Sequence, residues 1–193
     1  MSDCYTRRLD DALALASDAF RSIRRKGSGV PYLSHLLSVA ALVAEHGGDE
    51  DQIVAALLHD VLEDIRHISA DDLEARFGKR VRDYVVALSD TTEHPKPPWE
   101  ERKRAYLQLL RYKGADLKLI SAADKLHNAS TMVRDYAVVG DALWDRFTAT
   151  REQTLWYYRE VHAALSHDFD HAIVHELHAT VRRLHELAGE SLE

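Results

Sequence analysis

The chain is predicted to be all-α, a compact single-domain bundle of about eight to ten helices. Three observations predict this. No segment alternates polar and apolar residues as a half-buried strand would. Apolar residues recur instead at three- and four-residue spacing. Capping residues and glycine or proline breaks cut that pattern into ordinary helix lengths. At 193 residues, 46% hydrophobic and 30% charged, the chain has apolar material for one core and shows no internal repeat or linker.

Residues from about 5 to 25 read as an amphipathic helix, with Leu9, Leu13, Ala16, Phe20 and Ile23 on one stripe. It closes on a basic cluster, Arg21, Arg24, Arg25 and Lys26, ahead of Gly27 and Gly29. Such cations either complement the helix dipole or bind phosphate, and both readings stand. Pro31 opens a second helix to about His46, closed by Gly47 and Gly48. His35, in its first turn among Leu33, Leu36 and Leu37, reads either as a semi-buried core histidine or as a ligand.

Asp49 then caps a central helix of roughly 15 residues that carries Ala55–Asp64, AALLHDVLED. A connection of a few residues makes this helix an antiparallel neighbour of the second, bringing His35 towards His59. On the central helix His59, Asp60, Glu63 and Asp64 fall on one side within about a turn and a half. An imidazole and three carboxylates crowded at the end of an apolar run are costly unless a cation sits among them. A metal ion is the obvious cation; a capped and solvated face is the blander alternative.

Ser69 with Asp72 makes a capping box for the next helix, which Gly78 stops. Lys79 to about Ser89 is helical, with Val81, Tyr84, Val85 and Leu88 at core spacing. Thr91–Pro98, TTEHPKPP, holds three of the four prolines and is expected as a loop. Trp99 to Tyr112 resumes as a charged helix, either a solvated face or a substrate-binding one. In Asp116–Tyr136 the apolar run to Ala123 gives way to Asp124, His127 and Asn128 on one face. Beyond a Gly140 break, Trp144, Phe147, Leu155, Trp156, Tyr157 and Val161 look like the core side of one long helix. A last helix, about 170–188, carries His171, His175, His178 and His185, a metal-like stripe that no carboxylate pattern supports.

A net charge of −7 argues against a nucleic-acid-binding surface. The single cysteine, Cys4, permits neither an internal disulfide nor a thiolate cluster. No apolar run is long enough to span a bilayer and the N-terminus is not a signal peptide, so a cytoplasmic protein is expected. The polar groups at apolar-to-polar boundaries then reduce to His35, His59, Asp60 and Asp124. Two imidazoles and two carboxylates suit one divalent ion such as Mn²⁺, Fe²⁺ or Zn²⁺. Glu63, one turn beyond Asp60, is placed to orient or deprotonate a water activated by that ion.

These pieces resemble the HD-domain phosphohydrolases, and more narrowly the hydrolase domain of the RelA/SpoT family and the small alarmone hydrolases. The matching residues are Arg24-Arg25-Lys26, Gly29-Val30-Pro31-Tyr32 with His35, AALLHDVLED, Phe77-Gly78, Glu101-Arg102-Lys103-Arg104 and Ala122–Asn128, AADKLHN. They come in the family's order and nearly its spacing. The resemblance implies a Mn²⁺ enzyme that removes pyrophosphate from the 3′ position of guanosine tetra- or pentaphosphate. It implies His35, His59, Asp60 and Asp124 as metal ligands and Glu63 and Asp64 as the catalytic acidic pair. Arg24 would pack on the base and Arg102 and Lys103 face the phosphates, with Arg25, Tyr32 and Asn128 also near the nucleotide. Ile65 stands where the family has Thr, and Ala129-Ser130 where it has an apolar residue and Arg. Those departures bear on how the phosphates are held and keep an adenosine alarmone in view. With no synthetase or regulatory domain in the chain, a hydrolase alone is expected. A nucleotidase acting on other nucleotides and a non-catalytic nucleotide-binding module are the alternative readings.

Overall fold

The structure, a computed structural model, describes residues 4–89 and 97–192. Among the described residues regular structure is helical, ten α-helices and one 3₁₀ helix, with one isolated β-bridge between Arg24 and Pro31. The all-α expectation holds. The chain divides into two compact units: Met1–Arg25 with Val30–Lys96, and Lys26–Gly29 with Pro97–Glu193. No helix among the described residues is long and apolar enough to cross a membrane.

The first unit comprises α1 (Arg7–Ala19), α2 (Leu33–Glu45), α3 (Glu50–Leu58), α4 (Val61–Asp64), α5 (Ala70–Phe77) and α6 (Lys79–Leu88). Helix α3 is buried on every side from Gln52 to Leu58, and α1, α2 and α6 pack around it. A helix apolar all round belongs in the middle of its unit. Its start is fixed by a full capping box, the Asp49 side chain accepting from the Gln52 amide while Gln52 accepts from the Asp49 amide. Ser69 and Asp72 make the same reciprocal box at the start of α5. Ser69→Ala is expected to cost about 1 kcal/mol, read as a lowered denaturant midpoint at unchanged slope.

Two expectations are corrected here. The first helix ends at Ala19, so Arg24, Arg25 and Lys26 do not lie in its last turn. They lie in a tight return instead, tied by the Arg25 amide donating to the Val30 carbonyl at 2.8 Å and the Tyr32 amide to the Ile23 carbonyl at 2.9 Å. The central helix is also not continuous: it stops at Leu58 and resumes as the single turn α4. At the break His59 Nδ1 donates to the Ala56 carbonyl at 2.8 Å. Thr91–Pro98 falls mostly outside the described residues.

The second unit holds α7 (Trp99–Arg111), α8 (Ala115–Val139), a 3₁₀ turn over Gly140–Arg146, α9 (Arg151–Ser166) and α10 (Ala172–Leu187). Helix α8 packs on α10, α9 and the 3₁₀ turn, and α7 packs on α9. The expected long helix beyond Gly140 is thus corrected: Trp144 lies in the 3₁₀ turn and Phe147 just after it, ahead of α9. Gly140 at φ 59 ends α8, and Thr150 supplies a fresh capping box for α9, which is why one continuous helix does not form. Lys118 is buried on α8, and its ammonium donates to the His167 carbonyl at the C-terminal end of α9, where a cation suits the dipole.

Candidate active site

In the first unit, His35 projects from the first turn of α2 and His59 from the end of α3, at 2% and 4% exposure. Their rings meet edge to face with centroids 5.2 Å apart. The antiparallel pairing expected of α2 and the central helix therefore brings them together. Asp60 follows at the break, its side chain 18% exposed, with Oδ2 3.0 Å from His59 Nε2 and 3.8 Å from His35 Nε2. The break is what aims it there: Asp60 sits at φ −97, ψ 0, outside the helical ladder.

The chemistry of this donor set follows from one hydrogen bond. The Ala56 carbonyl can only accept, so His59 Nδ1 carries a proton. In the neutral ring Nε2 is then a lone pair, and it faces a carboxylate oxygen at 3.0 Å. Two acceptors at that distance call for a proton or a metal cation between them. A ring whose far N–H rests on a backbone carbonyl is also the usual arrangement of a metal-bound histidine. The residues fit a divalent ion.

Glu63 and Asp64 ride on α4, whose first turn is anchored by their amides donating to the Asp60 carbonyl at 3.2 and 3.1 Å. Glu63 is half-buried and Asp64 exposed. Ile65, at the family's threonine position, is buried in the core. Arg24 is exposed and Arg25 half-buried on the return before α2. Tyr32 lies just ahead of α2. Its hydroxyl donates to Asp60 Oδ2 at 2.6 Å, and its ring stacks on Phe20 at 5.2 Å.

In the second unit, Asp124 is 8% exposed on α8. Its two oxygens are both held: Asn128 Nδ2 donates to Oδ1 at 2.6 Å, and the Lys125 ammonium donates to Oδ2. Burial opposes the charge on Lys125, but Asp124, with Tyr157 and Tyr106, outweighs it and raises that pKa well above the ordinary lysine value. Lys125 also lies 5.3 Å over the Tyr106 ring, whose hydroxyl bonds Ser121 at 2.8 Å and is pushed by burial up to about 12. Sequence reasoning missed Lys125, because a neighbour at i+1 points away on an ideal helix and only its long stem lets it return.

Asn128 donates to Asp124 from one turn along the same helix. One turn further along the same face of α8, Met132 lines a cavity of about 400 Å³ with Lys26, Trp99, Arg102, Lys103 and Tyr157. Arg102 is steadied by donating to the Pro97 carbonyl at 3.0 Å, and Lys103 lies 5.3 Å over the Tyr157 ring. Arg104 is engaged elsewhere, donating from Nε and Nη2 to the single Glu100 oxygen Oε1 and lying over Trp156. Lys26 reaches the cavity from a turn whose Gly27 has φ +79; a Cβ there would meet the Arg146 side chain at 2.5 Å.

The histidine stripe of α10 disperses. His171 caps the helix, His175 pairs with Asp170 at 2.8 Å, and His178 lies against His162 of α9 at 4.5 Å. His185 is buried with Nδ1 on the Val181 carbonyl at 2.9 Å. These four do not share one site.

Comparison with known proteins bears on this arrangement. The family described as HD domain matches residues 12–155. A probable guanosine-3′,5′-bis(diphosphate) 3′-pyrophosphohydrolase of Synechocystis sp. is 37% identical over 131 residues, 63% of this chain but 16% of that protein. The guanosine-3′,5′-bis(diphosphate) 3′-pyrophosphohydrolase MESH1 of Mus musculus is 35% identical over 127 residues, 64% of this chain and 69% of the relative. A solved structure described as a metazoan ortholog of SpoT that hydrolyzes ppGpp superposes with a TM-score of 0.77. It is 26% identical, and the match covers 94% of this chain and 97% of that one.

Proposed function

The chain belongs to the HD-domain family, and from that premise we propose that it is a metal-dependent phosphohydrolase that releases pyrophosphate from the 3′ position of guanosine tetra- and pentaphosphate. The observation that carries the reading is the meeting of His35, His59 and Asp60, with a lone pair of His59 set against a carboxylate oxygen at 3.0 Å. The names of the relatives support the choice of substrate. The whole chain acts as one HD-type domain, in the cytoplasm, on a small-molecule nucleotide.

His35, His59, Asp60 and Asp124 would hold one divalent ion, Mn²⁺ in preference to Fe²⁺ or Zn²⁺. The imidazole and carboxylate set suits such a borderline-to-hard cation. When bound, that ion supplies Lewis-acid polarisation of a phosphoryl oxygen and acidifies water. The rest falls to the chain's own side chains. Glu63 accepts a proton from the attacking water, beside Asp64, as a new oxygen–phosphorus bond forms at the phosphorus attached to the 3′ oxygen. The bond to the 3′ oxygen breaks, and that oxygen leaves with a proton. Asn128 and Lys125 keep the Asp124 carboxylate from turning. Arg102 and Lys103, with Lys26 beside them, hold phosphates at the cavity, giving an acidic protein its local positive charge. An adenosine nucleotide carrying the same 3′ group is a second substrate of this reading.

Chromatographic product analysis with Mn²⁺ and guanosine tetraphosphate tests the bond that is cut. Intact pyrophosphate and guanosine 5′-diphosphate are expected; release of single phosphates would place the chain among general nucleotidases instead.

Arg24 is proposed to stack its guanidinium plane on the base. Arg24→Ala should raise KM more than it lowers kcat, and Arg24→Lys should not restore KM. A full rescue by lysine would show that charge alone is required. If instead Arg25→Ala moves KM and Arg24→Ala does not, the stacking residue is the half-buried neighbour.

A further inference from the structure

We propose that Tyr32 is a positioning residue for the metal ligand Asp60. The inference rests on the metal reading above. The Tyr32 hydroxyl has one proton, and at 2.6 Å that proton is committed to Asp60 Oδ2. The ring is committed as well. One face stacks on Phe20, itself 1% exposed, with the planes 13° apart. The ring also meets His35 edge to face at 5.6 Å.

The oxygen that Tyr32 holds is the same one that faces His59 Nε2 at 3.0 Å and His35 Nε2 at 3.8 Å. A carboxylate oxygen has two lone-pair directions in its plane. The hydroxyl occupies one of them, on the same oxygen that lies nearest both imidazoles. Tyr32 thus ties the return before α2 to the carboxylate at the break in the central helix. The Phe20–Tyr32 stack fixes the hydroxyl in turn: Phe20 closes α1, and the Tyr32 amide is tied to the Ile23 carbonyl at 2.9 Å. The return carrying Arg24 and Arg25 is therefore built on the same residue that aims the metal ligand.

Partners of this kind commonly change metal affinity or activity by about 10- to 100-fold when removed. Tyr32→Phe keeps the stack and deletes only the hydroxyl. Mn²⁺ affinity of the metal-free protein, measured by calorimetry without nucleotide, is expected to fall by about that factor. KM for guanosine tetraphosphate at saturating Mn²⁺ should stay at the native value, and raising Mn²⁺ should restore most of kcat. Unchanged Mn²⁺ affinity, with or without a raised KM, would overturn the positioning role. Native protein that binds no Mn²⁺ at all would overturn the metal reading on which it stands, a separate outcome visible in the same titration.

Discussion

Asp124→Ala is expected to abolish both retention of a divalent metal and hydrolysis. The carboxylate lies on a buried stretch of α8, where an unpaired acid would be costly. Two donors converge on it, Asn128 at 2.6 Å and the Lys125 ammonium. So much preparation of one carboxylate makes sense if its direction matters. The alanine variant also leaves the Lys125 cation buried without that partner, and losing one member of a buried pair costs about 3–5 kcal/mol. A stability loss alone could therefore mimic the effect. Asp124→Asn separates the two, since it keeps the volume and one acceptor oxygen while removing the charge that a divalent ion needs. Both variants should lose the metal, measured as equivalents of Mn²⁺ bound to protein that still unfolds cooperatively. If a folded Asp124→Ala protein binds one equivalent with native affinity, Asp124 is not a ligand.

Glu63→Gln is expected to behave in the opposite way, keeping the metal and losing about 10²–10⁴-fold in turnover, the usual worth of a positioned proton transfer. Glu63 stands one turn beyond Asp60 on α4, and that turn hangs on the Asp60 carbonyl through the Glu63 and Asp64 amides. Its position is thus tied to that of Asp60, which is proposed as a ligand where Glu63 is not. Glutamine retains the size and the hydrogen-bonding ability but cannot take a proton. Metal lost from Glu63→Gln would make Glu63 a ligand, and unchanged turnover would remove it from the chemistry.

Much of this was legible in the sequence because it is local. Asp49 and Ser69 cap helices through bonds to residues three positions on, and Gly78 and Gly140 end helices through positive φ. The meeting of His35 and His59 follows from two helices joined by a short turn. What stayed hidden depends on contacts that no spacing rule encodes. The break after Leu58 falls where the His59 imidazole bonds the Ala56 carbonyl, in a stretch whose residues all favour a continuous helix. Tyr32 is expected at the nucleotide from its family position beside basic residues; its bond to Asp60 and its stack on Phe20 join residues far apart in the chain. Lys125 was overlooked since adjacent residues on a helix do not face one another.

The central claim is that a 3′-linked pyrophosphate is delivered to a metal held by His35, His59, Asp60 and Asp124. Selectivity tests it most directly. Purified, Mn²⁺-loaded protein is incubated in parallel with guanosine and adenosine nucleotides carrying a 3′-pyrophosphate and with plain GTP and ATP, and products are resolved by anion-exchange chromatography. The account predicts pyrophosphate from the 3′-pyrophosphorylated nucleotides, their 5′-phosphates intact, and no turnover of GTP or ATP. Comparable turnover of plain GTP or ATP would contradict it.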